Sequence, residues 1–168
     1  MGVLAKDVLN HYKLYASGRE NEIEKMEIQY KDYAEWQLQQ LAKPDATHKD
    51  YWGSVFFEEL PRINLPSGKK RPLLKTHNGA SIETYLSKPL TEKLKQFSND
   101  NKGSLFITLL GILDVLIYSY TNINDIVIGA PGAGRNHSAL ENQIGFYVNT
   151  LALRNKIDAQ HSFKEFYE

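Results

Sequence analysis

The chain has 168 residues, of which 42% are hydrophobic, and its 20 basic and 20 acidic residues give a net charge of zero. That is enough to bury the core of one globular domain or of part of a larger one, and the charge balance leaves no global field to draw in nucleic acid or an anionic membrane surface, so neither is expected as a partner. The absence of cysteine excludes disulfides, thiolate nucleophiles and cysteine metal sites and agrees with a reducing cytoplasm, the expected location.

The opening "MGVLAKDVLNHYKLY" lacks the continuous apolar core of a signal peptide. No run in the chain approaches the roughly 18 apolar residues of a membrane span, and Lys6 breaks the myristoylation pattern that Gly2 begins. Within Val3 to Ser17, Leu4, Val8, Tyr12 and Tyr15 recur at helical spacing, and Gly18 suits the left-handed position after a helix. A second helix is predicted over "IQYKDYAEWQLQQLA", with Tyr33, Trp36, Gln37 and Leu41 on one face and Pro44 beyond its end. A short third helix should cover "HKDYWGSVF". Trp36 and Trp52 fall on apolar helix faces and are expected to fill core. "LPRINLPSGKKRPLL", with three prolines, a Ser-Gly pair and a basic cluster, reads as an extended surface connection and as the internal boundary.

The pattern then changes. "ASIETYL" alternates as a strand does, "TEKLKQFSND" reads as a short helix capped by Thr91, and "SLFITLLGILDVLIYSY" as a longer one capped by Ser104. The long helix is apolar nearly all round, which predicts burial on more than one side. "DIVIGA" reads as a short apolar strand, "SALENQ" as at most two helical turns, and "GFYVNTLALR" as a second strand. Ser162 to Glu165 has the capping-box pattern of a helix start. The order of elements indicates a mixed α/β (α+β) architecture.

Candidate chemistry is sparse. His11, His48, His77, His137 and His161 show no metal-site spacing and are expected in surface or capping roles, no G-x-S-x-G elbow is present, and no metal site is expected. "GAPGAGRN", residues 129–136, matches a phosphate loop in spacing, but Arg135 and Asn136 stand where the lysine and the hydroxyl residue belong. The glycines are better read as letting a strand turn sharply, with Arg135 pairing a carboxylate such as Glu141.

Three passages, "YKDYAEWQ", "LPSGKKRP" and "GAPGAGRN…LENQIGFYVNTLALR", resemble motifs of the condensation domains of nonribosomal peptide synthetases. Tyr147 stands where phenylalanine is common, and "PSGKKRP" lacks the usual acidic residue. The resemblance implies part of a two-lobed, chloramphenicol acetyltransferase-like fold: residues 1–60 as the end of the first lobe and its connection, 61–168 as the beginning of the second. It implies an amide-forming reaction between carrier-bound thioesters, with no cofactor bound directly, substrates carried on phosphopantetheine, and carrier and adenylation domains as partners. The family's catalytic HHxxxDG motif does not occur in this sequence, so no catalytic residue is assigned and the chain is expected to be inactive alone. Arg135, Asn149 and Thr150 are the implied tunnel or lobe-interface candidates, with strand and turn support as the alternative. Tyr30, Asp32, Tyr33, Trp36, Gly145, Phe146 and Val148 are the implied motif scaffold. Two rival readings are a non-catalytic carrier-binding remnant and a degenerate nucleotide-binding module. Partly uncovered apolar faces on 104–120 and 145–154 predict aggregation or dimerisation.

Overall fold

A computed structural model describes residues 2–23, 26–43, 46–66, 74 and 76–167. The described elements are α1 (Gly2–Ala16), α2 (Tyr30–Ala42), α3 (Ala46–Val55), α4 (Lys88–Asp100), α5 (Leu105–Thr121), β1 (Asp125–Gly132), β2 (Asn149–Lys156) and α6 (Phe163–Tyr167), with one-turn 3-10 segments at Glu20–Glu22 and Ser138–Leu140. The mixed helix and strand content agrees with the sequence reading. No single described helix is long and apolar enough to cross a membrane. The chain forms two compact units: Met1–Glu58 with Gly129–Ala152, and Glu59–Ile128 with Leu153–Glu168. β1 and β2 pair as a two-stranded sheet.

In the first unit, α1 ends as the sequence indicates. Gly18 takes a φ of +66°, and Arg19 N–H donates to Leu14 O at 2.8 Å, satisfying a carbonyl the helix leaves open. Its apolar residues are not covered, however: Leu4, Val8, Tyr12 and Tyr15 are exposed. α2 starts with a reciprocal capping box between Gln29 and Asp32, in which Gln29 N–H donates to Asp32 Oδ2 at 2.8 Å. Trp36 and Trp52 do not fill core; both stay exposed, Trp36 more so. Among the described residues, those buried in this unit are Ala130, Leu140, Gln143 and Tyr147. The "SALENQ" stretch makes one 3-10 turn over Ser138–Leu140.

In the second unit, "ASIETYL" forms no strand: 80–86 has no ladder partner among the described residues, and Ile82 and Tyr85 are almost fully exposed. Alternation places side chains on two faces but supplies no neighbouring strand to bond the backbone. α4 begins earlier than expected. Ser87, not Thr91, is the N-cap, Pro89 lies in the first turn where its missing N–H is harmless, and Thr91 Oγ1 donates back to Ser87 O at 3.1 Å. α5 is capped as expected, Ser104 Oγ accepting from Ile107 N–H at 3.3 Å, and it ends on Asn122 at φ 55°. Its burial is one-sided. Thr108, Gly111 and Asp114 are buried, whereas Leu109, Leu113, Leu116 and Tyr120 are exposed.

The buried side of α5 receives α4 and α6. Ser98 and Thr108 hydroxyls meet at 2.7 Å, Thr108 Oγ1 donates to Tyr167 Oη at 3.1 Å, and a Cβ on Gly111 would lie 3.4 Å from the Phe163 ring. A larger residue at Gly111 would push that ring away. α6 carries the capping box read from the sequence, with Ser162 N–H donating to Glu165 Oε2 at 2.7 Å and Glu165 N–H to Ser162 Oγ at 3.3 Å. β2 begins at Asn149, four residues later than predicted. Arg154 on β2 makes a bidentate ion pair with Asp125 at the start of β1, Nη2 to Oδ2 at 2.5 Å and Nε to Oδ1 at 2.9 Å. The connection at 60–66 is irregular as expected; the rest of "LPSGKKRP", from 67 on, lies outside the described residues.

Candidate functional site

The motif residues that the sequence singles out gather around one side chain, Tyr147, which is 4% exposed. Its approach is made possible by two glycines. Gly134 has φ +65°, and a Cβ there would collide with Tyr147 O; a Cβ on Gly145 would collide with the Tyr30 ring and lie 2.7 Å from Tyr147 Cε2. The glycine of the "GAGRN" stretch that a nucleotide reading would assign to phosphate therefore accommodates a carbonyl instead.

α2 presents Tyr30 and Tyr33 one turn apart, and both touch Tyr147: Tyr30 edge-on at 5.3 Å between ring centroids, Tyr33 tilted at 4.6 Å. Such arrangements place a positive ring edge against a negative face. Tyr30 Oη donates to Phe146 O at 3.0 Å, which ties α2 to the "GFYVNT" segment through its backbone. Trp36 extends the row, 5.8 Å from Tyr33. Arg135 lies over the Tyr147 ring, its Cζ 4.2 Å from the centroid, and donates through Nη1 to Leu140 O. Arg135 thus binds a π face and a carbonyl, not the Glu141 carboxylate that the sequence suggested. A guanidinium is suited to that position because it is planar and weakly hydrated.

The Tyr147 hydroxyl donates to Gln143 Oε1 at 2.6 Å, and Gln143 Nε2 donates to Ile28 O. Burial raises the Tyr147 pKa above the ordinary phenol value, with the Arg135 charge acting in the opposite direction. Beside this cluster lies an apolar cavity of about 460 Å³ lined by Ile28, Asp32, Tyr33, Trp36, His137 and Leu140. His137 has the capping role expected of it, Nδ1 accepting from Ala139 N–H at 3.2 Å.

Of the scaffold candidates, the structure brings Tyr30, Tyr33, Trp36, Gly145 and the Phe146 carbonyl together. Asp32 serves the α2 capping box and also lines the cavity. The Phe146 ring and Val148 point to solvent. Arg135, Asn149 and Thr150 are not one cluster. Asn149 and Thr150 are exposed at the start of β2, where Asn149 Oδ1 accepts from Thr150 N–H at 2.8 Å, and no described hydrogen bond joins them to Arg135. Sequence reasoning missed Gln143 and treated Tyr147 as a departure from a motif. The signal available was the hydroxyl itself, since a buried phenol needs a partner. Among the described residues no group of three His, Cys, Asp or Glu could hold a metal ion.

The condensation-domain family profile matches residues 1–168. Bacitracin synthase 3 of Bacillus licheniformis is 36% identical over the whole chain, and tyrocidine synthase 3 of Brevibacillus parabrevis is 36% identical over 99% of it. The chain spans only 3% of the length of each of those relatives. Among solved structures, SgcC5 of Streptomyces globisporus is 26% identical with a TM-score of 0.71, covering 99% of this chain and 38% of that one. The X-domain from teicoplanin biosynthesis, at 20% identity and a TM-score of 0.78 over 93% of this chain and 36% of its own, shares the fold. The motif residues that surround Tyr147 and the match along the full sequence together place the chain in the condensation-domain family of nonribosomal peptide synthetases, corresponding to part of such a domain.

Proposed function

We propose that this chain is a scaffold segment of an amide-forming condensation domain: 1–60 completing a first lobe, 61–168 beginning a second, and the reaction requiring an HHxxxDG histidine that this sequence does not contain. In that reaction an acceptor amine attacks a donor thioester, and the thiol of the donor's phosphopantetheine leaves. The protein's task is to hold the two reactants in line and manage one proton. Partners are the carrier domains that present both thioesters and an adjacent adenylation domain, in the cytoplasm. Arg135 serves as turn support through Tyr147 and Leu140, while Asn149 and Thr150, exposed at the mouth of β2, are the residues offered to the tunnel or lobe interface.

The observation that carries this reading is the Tyr30–Tyr147–Arg135 packing, which joins the "YKDYAEWQ" helix to the "IGFYVNT" segment. The test is condensation between aminoacyl- and peptidyl-loaded carriers, followed by mass spectrometry. The 168-residue chain alone should give no condensed product, and the same residues carried in a full-length domain that supplies HHxxxDG should give it. Product from the chain alone, or none from the full-length domain while Tyr147 packing is intact, would overturn the proposal.

A further inference from the structure

We draw no further inference here: the strongest candidate, the apolar cavity beside Tyr147 that Tyr33, Trp36 and His137 line, belongs to the site already described, and nothing in the structure shows what occupies it.

Discussion

Tyr147 Oη donates to Gln143 Oε1 at 2.6 Å, and the same amide, through Nε2, donates to the carbonyl of Ile28. Segments distant in sequence are thereby joined by one relay of buried polar groups. A phenylalanine at 147 would keep the ring contacts with Tyr30, Tyr33 and Arg135 and delete only the relay. Tyr147→Phe should lower stability by about 1 kcal/mol, since a net hydrogen bond is worth that much and Gln143 Oε1 is left without its donor. Urea unfolding followed by tyrosine and tryptophan fluorescence measures it. An unchanged midpoint would mean that the amide finds water at no loss.

Gly18 and Gly134 have nearly the same backbone, φ +66° and +65°, but different surroundings: nothing lies within 4 Å of a Cβ at Gly18, whereas one at Gly134 collides with Tyr147 O. Gly18→Ala should cost about 1 kcal/mol, the left-handed penalty alone. Gly134→Ala adds displacement of the Tyr147 backbone and should cost about 2 kcal/mol or more. Comparing the two melts separates conformation from contact, and equal losses would contradict the close approach.

Chemistry was legible where it is local. Ser104, Gly18 and the Ser162–Glu165 box were readable because a cap involves residues three or four apart. What needed distant partners was not. "ASIETYL" alternates correctly but has no strand beside it among the described residues, and Trp36 sits on an apolar helix face but at the edge of the Tyr147 cluster, where it stays exposed. Arg135 was assigned Glu141 because charge is visible in a sequence; its actual partners, the Tyr147 ring and the Leu140 carbonyl, depend on a turn that only the folded chain makes. The family was recognisable from motifs because their residues, Tyr30, Tyr33, Gly145 and Tyr147, are the ones that touch.

Arg154 and Asp125 form a bidentate pair with side chains 5% and 20% exposed. Hydrogen bonding from Arg154 lowers the Asp125 pKa. A lowered folded value means that the pair's contribution is complete above the unfolded aspartate pKa, about 3.9, and is lost as pH falls through the folded value. Arg154→Ala should cost about 3 kcal/mol at neutral pH because it strands a partly buried carboxylate, and its deficit relative to the unmodified chain should shrink on acidification. Stability measured from neutral pH down into the acid range checks the sign, and a deficit independent of pH would assign the loss to packing.

Asp114 presents the opposite case. It is fully buried on α5, Oδ2 accepts from Asn155 Nδ2 at 2.7 Å, and Oδ1 has no partner among the described residues. Burial raises its pKa, and the Asn155 hydrogen bond only partly opposes this. With a raised folded value, the neutral acid is favoured by folding: the contribution is fully present below about pH 3.9 and is lost as pH rises through the folded pKa. Asp114→Asn keeps the size and an oxygen acceptor for Asn155 but cannot ionise. Relative to the unmodified chain, the variant should therefore gain stability as pH rises above about 4 and level off once Asp114 is ionised. Urea midpoints of both proteins from acid to neutral pH decide this. Parallel curves would show that the Asp114 carboxylate is solvated in the folded chain.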